Sequence, residues 1–214
     1  MFADIKEEIT RMFLELKLWV SNIQSDLVDN EFSTISRGLF FVYIYGIYEE
    51  IVRRVISTTI QELNNTSVNI DQCIYELYSL ILSNEYDGLY NVGIEHKWEK
   101  RWLISNKLTK NQLIRIENGL FPTDRKNIRY RQLESLAKSF GIKENILPRN
   151  DLGRYIEEMV NDRNDISHGN KLPKEVGRNY TKNDLLLICG YISEVCSHIV
   201  TVYEKYIVDR KYLR

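Results

Sequence analysis

Arg37-Gly38-Leu39-Phe40-Phe41-Val42-Tyr43-Ile44-Tyr45-Gly46-Ile47-Tyr48-Glu49-Glu50 is the stretch on which the fold turns. Taken alone, the apolar run fits either a buried strand or a helix that is apolar all round. The residues that follow decide between them. Ile51, Val52, Val55, Ile56 and Ile60 recur at helical spacing, which predicts one helix from about Ser36 to Leu63. Such a helix has to be covered on most sides, by its own fold, by a partner subunit or by both. Gly46 in its middle would allow close approach of another helix, at some cost in helix propensity.

On the N-terminal side, Ile5, Ile9, Met12, Phe13, Leu16, Trp19, Val20, Ile23 and Leu27 predict a long amphipathic helix, interrupted at Asp29-Asn30. On the C-terminal side a third helical stretch is expected over about Ile70 to Leu82. Ser83 to Ser105 loses periodicity, with Trp98 and Trp102 expected to cover a core edge. Thr109-Lys110-Asn111-Gln112 has capping-box spacing and predicts a short helix through Leu113, Ile114 and Ile116, stopped by Asn118-Gly119. Tyr130 to Phe140 predicts another, stopped by Gly141. Leu152, Ile156, Met159, Val160 and Arg163 mark a longer helix, and a last one starts at a Thr181 cap and runs to about Tyr206. With only 3 prolines and 10 glycines in 214 residues and no convincing strand pair, the expectation is an all-α bundle. It has about four long helices in a single domain over 1–214, with 84–150 an irregular, partly helical, basic insertion.

The formal charge of -1 provides no global positive field for nucleic acid. Between Lys97 and Arg131, however, ten Lys/Arg face three Asp/Glu, a local +7 that leaves about -8 elsewhere. Lys97, Lys100, Arg101, Arg125, Lys126, Arg129 and Arg131 are therefore candidate RNA-binding residues, provided the fold gathers them on one face. The two short helices of this region also admit a helix-turn-helix reading. Leu120 to Ile128 is too long and irregular for the tight turn of that motif.

Cys73, Cys189 and Cys196 show neither a CxxC pair nor a disulfide spacing, the N-terminus lacks a signal-peptide pattern, and no uninterrupted apolar stretch of 18 residues occurs. These features predict a cytoplasmic protein with no membrane partner. His96 and His198 belong to no metal-ligand spacing, and no metal or other cofactor is expected.

Arg163-Asn164-Asp165-Ile166-Ser167-His168-Gly169 ends the fourth long helix. A histidine both accepts and donates protons near neutral pH. A guanidinium matches phosphate oxygens and stabilises charge developing on a phosphoryl group. Together they suit RNA cleavage by the 2'-hydroxyl, with Asn164 or Ser167 orienting phosphate or imidazole and Asp165 forming a charge pair or fixing a histidine tautomer across a subunit interface. The same residues also suit an ordinary helix end, with Gly169 in the left-handed position. Arg163 and His168 lie about 140° apart on an ideal helix. They converge only if the last turn is distorted or if two copies of the helix face each other across a two-fold axis.

Arg163 to His168 fits the R-x4-6-H motif of the HEPN superfamily, and Arg163-Asn164-Asp165-Ile166-Ser167-His168-Gly169 resembles its R-N-x-I-x-H-G form. Arg37-Gly38-Leu39 through Tyr48-Glu49 is similar to the arginine-led apolar helix ending in aromatic-Glu of the MAE_28990/MAE_18760-like HEPN nucleases. Ser105-Asn106, Leu113, Ile116, Leu136 to Gly141 and the helix after Thr181 extend the likeness over roughly residues 5–208. The resemblance implies an all-α, usually dimeric protein that cleaves RNA without a metal in a groove between subunits. Its catalytic pair falls on Arg163 and His168, its next polar residue on Asn164, and its auxiliary acidic residue on Glu49. Relatives serve in toxin–antitoxin and phage-defence systems, which implies an antitoxin or other restraining partner. A related toxin group has a tyrosine two places after the histidine. Asn170 stands there, so control through that tyrosine is not implied. A catalytically inactive dimer that binds RNA or a partner protein is the alternative.

Overall fold

The computed structural model describes residues 2–23, 30–109, 111–123 and 127–214, with Thr109 described by its backbone alone. Four long helices build the bundle: α1 (Phe2–Ser21), α2 (Glu31–Asn64), α7 (Leu152–Ser167) and α9 (Lys182–Val208). Between them lie α3 (Tyr78–Ile81), α4 (Ser83–Asn91), α5 (Lys97–Thr109) and α6 (Tyr130–Ser139), while α8 (Pro173–Gly177) joins α7 to α9. Only two isolated β-bridges occur among the described residues. The all-α expectation holds.

Helix α1 buries Ile5, Ile9, Phe13, Leu16 and Val20, one stripe at helical spacing. That stripe packs on α9, whose Thr181 hydroxyl caps the start by accepting from the Asp184 N–H at 3.2 Å. Lys6 pairs with Glu204, and Lys182 Nζ donates to the Ile23 carbonyl at 3.3 Å, so α1 and α9 run antiparallel. Helix α9 is long and apolar enough by composition to cross a membrane, although it holds no uninterrupted apolar run of 18 residues. Ser193, Glu194, Ser197 and His198 in its middle interrupt any unbroken apolar run. Here Leu185, Ile192, Val195, Ile199 and Tyr203 are buried in the core.

Helix α2 begins before the expected Ser36. The Asn30 side chain caps it by accepting from the Phe32 N–H at 3.0 Å. Its closest neighbour is α8. A Cβ on Gly38 would lie 1.9 Å from the Pro173 carbonyl oxygen, and one on Gly177 would lie 1.9 Å from that of Thr34. Arg37, buried beside them, donates from Nε to the Gly177 carbonyl at 3.2 Å and from Nη2 to Thr34 Oγ1 at 3.1 Å. Gly46 does not serve that purpose within the chain: a Cβ there would meet nothing within 4 Å.

The middle of the chain departs most from expectation. Over 70–82 there are two 3₁₀ turns, Ile70–Gln72 and Tyr75–Leu77, and only the short α3. The supposedly aperiodic 83–105 is mostly helical, forming α4 and α5. Residues 111–116 are extended rather than helical, with the Ile70 N–H bonded to the Gln112 carbonyl at 2.8 Å and the Ile114 N–H to that of Val68 at 2.9 Å. The reason lies in the alternation: Ile114 and Ile116 are buried while Leu113 and Arg115 face solvent, a period of two that a capping-box pattern obscured. Asn64 at the end of α2 fastens this segment, accepting from the Ile116 N–H and donating to its carbonyl, both at 2.8 Å. Without a first helix there is no helix-turn-helix. Trp98 and Trp102 do not cover a core edge; both stand in solvent.

Candidate functional site

Helix α7 buries Leu152, Ile156, Met159 and Val160, and this stripe brings Arg163 half-buried to the rim of α2. The Arg163 guanidinium carbon lies 4.9 Å from the centre of the Tyr45 ring. Its Nη1 donates to Asn164 Oδ1 at 3.0 Å. That oxygen also accepts from Asn127 Nδ2 at 2.9 Å, and Asn127 Oδ1 accepts from the Tyr45 hydroxyl at 3.3 Å. The Tyr45 oxygen in turn accepts from the Ile128 N–H at 3.2 Å. The contacts form a closed circuit, Arg163–Asn164–Asn127–Tyr45, with the guanidinium resting on the ring that completes it. A planar cation held on one face and at one N–H is fixed in orientation, and among the described residues its remaining N–H groups have no hydrogen-bond partner.

Burial raises the Tyr45 pKa, opposed by the Ile128 N–H; the Glu49 carboxylate adds to the rise, and the Arg163 and Arg53 cations oppose it. Tyr45 therefore stays a neutral donor at physiological pH. Glu49 is held by Arg53, whose Nη2 donates to Oε1 at 2.8 Å, and Arg53 lies 4.4 Å over the Phe121 ring. Glu49 thus belongs to the same rim as Arg163, engaged in an ion pair within α2.

The end of α7 is regular. The His168 N–H bonds the Asn164 carbonyl at 2.9 Å, so the last turn is undistorted up to the cap. Gly169, at φ 72, takes the left-handed position, with its N–H on the Ile166 carbonyl and the Asn170 N–H on that of Asp165. This is the Schellman arrangement. Asp165 pairs with Lys171 at 2.7 Å, which holds its carboxyl below the usual range; its partner is this lysine and not an imidazole of the same chain. Ser167 and His168 are exposed, and the His168 side chain makes no hydrogen bond among the described residues. Undistorted, the helix leaves Arg163 and His168 of one chain pointing about 140° apart.

The described basic candidates sit on separate elements. Lys97, Lys100 and Arg101 lie on α5, which packs on α4 and the Ile70–Gln72 turn. Arg129 is instead a strut on α7, paired with Glu157 and donating to Asn161 Oδ1 at 2.8 Å. Arg131 is exposed at the start of α6. Arg125 and Lys126 lie outside the described residues. His96 approaches Glu99 at 3.7 Å and His198 Nε2 lies 2.9 Å from the Asn145 carbonyl oxygen. Among the described residues no three His, Cys, Asp or Glu side chains gather as a metal site requires.

Tyr45, Asn127, Arg53 and Lys171 were not expected from sequence. Tyr45 had a faint signal, one turn before Glu49 on the same helix. Asn127 had none, because its partners are 37 and 82 residues away.

No curated protein and no solved structure shows significant similarity to the chain. The MAE_28990-like HEPN family model matches residues 2–212, nearly the whole bundle together with the Arg163–His168 segment. The chain belongs to that HEPN family.

Proposed function

We propose that the protein is a metal-independent endoribonuclease that acts as a homodimer. Membership in the HEPN family points to a nuclease-like or RNA-related module, and such modules are often dimeric. The observation that carries the reading is the Arg163 guanidinium, held on Tyr45 and Asn164, five residues before an exposed His168. A phosphodiester bound by Arg163 would be attacked at phosphorus by the neighbouring 2'-oxygen. The His168 imidazole accepts the 2'-hydroxyl proton, and the leaving 5'-oxygen takes its proton from solvent. The guanidinium stabilises the charge gathered on the non-bridging oxygens. The products are a 2',3'-cyclic phosphate and a 5'-hydroxyl.

One chain alone does not converge these groups; a second copy does. Helix α2 supports this, because the face next to Glu49 is apolar and exposed: Leu39 is 42% exposed, Val42 37% and Tyr43 46%, and the exposed Gly46 follows one turn on from Val42. The open space over Gly46 leaves room for another backbone. A copy related by a two-fold axis buries this face and brings the Arg163 of one subunit towards the His168 of the other. The setting that suits such an activity is a cytoplasmic toxin–antitoxin or phage-defence system, with a partner that restrains it. An inactive dimer that only binds RNA is the second reading, favoured by the ordinary Schellman geometry at His168.

The test is cleavage of single-stranded RNA in EDTA. The expected outcome is an undiminished rate with chelator, products ending in 2',3'-cyclic phosphate, and no cleavage where a 2'-deoxynucleotide replaces the attacking ribose. Absence of cleavage across varied RNAs that are nevertheless bound establishes the second reading instead.

A further inference from the structure

Helix α5 presents two tryptophans to water on one face. Trp98 is 76% exposed and Trp102 63%. The Arg101 guanidinium carbon lies 4.8 Å from the centre of the Trp98 ring, and Ser105 continues the same face. Two exposed indoles one turn apart lose apolar hydration energy with nothing gained inside the chain. A cleft of about 570 Å³ between α4 and α5 opens beside the second ring, lined in part by Lys100, Trp102, Asn106 and Lys107.

Trp98 and Trp102 are separated by a rise of about 6 Å. Nucleotides in a stacked strand are only about 3.4 Å apart. Rings so placed suit bases drawn out of their stack, as in an extended single strand, and not the closed edges of a duplex. Charge supports the same occupant. Arg101 lies on the Trp98 ring, Lys97 flanks it and Lys100 lines the cleft beside Trp102, whereas the core of a protein–protein interface is depleted of charge. Bases stack on aromatic faces while cations follow the phosphates. Of the acidic groups on α4 and α5, Glu85 is paired with Lys107 and Glu99 lies 3.7 Å from the His96 ring.

We propose that the Trp98–Arg101–Trp102 face of α5 is a stacking platform for single-stranded RNA. That the strand is RNA rests on the ribonuclease reading; that it is single-stranded rests on the two rings. Because α5 packs on the turn that follows Asn64, which is about 28 Å along α2 from Tyr45, the platform grips substrate at a distance from Arg163. It favours long strands without touching the reacting phosphate.

Binding of a 2'-O-methyl single strand of about 12 nucleotides tests this, since its blocked 2'-oxygen prevents cleavage. The full-length wild type binds it with quenching of tryptophan fluorescence, and binds the corresponding duplex more weakly. Trp98→Ala/Trp102→Ala weakens single-strand binding about tenfold or more, and Trp98→Phe/Trp102→Phe restores most of it. In the cleavage assay the Ala pair raises KM for long RNA and leaves a trinucleotide substrate unaffected. Equal affinity after both rings are removed, or a wild type that prefers duplex or binds no strand, overturns the platform and leaves this face to a protein partner. The two readings fail separately: stacking without any cleavage removes the nuclease and keeps the platform, while cleavage indifferent to both rings does the reverse.

Discussion

His168→Ala and Arg163→Ala each abolish most RNA cleavage while leaving the fold intact. Loss of the proton-transferring imidazole is expected to lower kcat/KM about 10²–10⁴-fold. Loss of the guanidinium removes a preorganised charge and costs about 10²–10³-fold. Stability should hardly change, because His168 is exposed and Arg163 gives up only a ring contact and one hydrogen bond at a half-buried rim. Asn127→Ala is the informative companion. It leaves both catalytic candidates in place and removes the amide that orients Asn164 and the Tyr45 hydroxyl. A loss of about tenfold, mostly in kcat, is expected from misplacement of a positioned group. Kinetics in EDTA beside thermal melts check all three, and a wild-type rate in both His168→Ala and Arg163→Ala rules out this site.

Gly177→Ala destabilises the protein through the second-largest effect. Its Cβ would lie 1.9 Å from the Thr34 carbonyl oxygen and 2.8 Å from the Gly38 nitrogen, both backbone atoms that cannot rotate away. Gly38→Ala meets the Pro173 carbonyl in the same way. Overpacking of this kind costs about 1–3 kcal/mol. For a chain of this size that lowers Tm by roughly 3–10 °C. Activity should fall further than stability, because residues 169–172 alone join His168 to α8. Gly46→Ala makes the contrast. Nothing lies within 4 Å of its Cβ, so the monomer gains helix propensity, up to about 1 kcal/mol. A second copy packed closely there would be pushed away, and dimerisation and cleavage would weaken together. Melting curves and sedimentation of the three variants separate these effects.

The long helices were legible because each writes its burial along itself. Ile5 to Val20, Leu152 to Val160 and Leu185 to Tyr206 repeat at three and four residues, and Thr181 announces its cap. The apolar helix from Arg37 needed its C-terminal continuation to be told from a strand, and its uncovered face at Leu39 and Tyr43 shows why it is apolar all round. The paired Arg37-Gly38 acquires a physical reason only in three dimensions, as the seat of α8. Leu113 to Ile116 misled because a segment with three apolar residues in four fits both periods. Trp98 and Trp102 misled because aromatic residues are usually buried, and here they are not. Within the site, Arg163 and His168 were readable from spacing and chemistry. The circuit through Asn127 was not, since it depends on a loop returning to α7 from far along the chain. Nor was the tie of Arg129 to Glu157 and Asn161 of α7, because charge counted along a sequence says nothing of what each cation meets.

The central claim is that Arg163 and His168 act from different copies of the chain. Arg163→Ala and His168→Ala subunits, each inactive alone, can be mixed under conditions that exchange partners. A mixed dimer keeps one His168, from the first variant, and one Arg163, from the second, and in a shared groove the two face each other. Recovery of RNA cleavage well above either parent is the predicted result. Mixed dimers that demonstrably form and stay as inactive as their parents would contradict it.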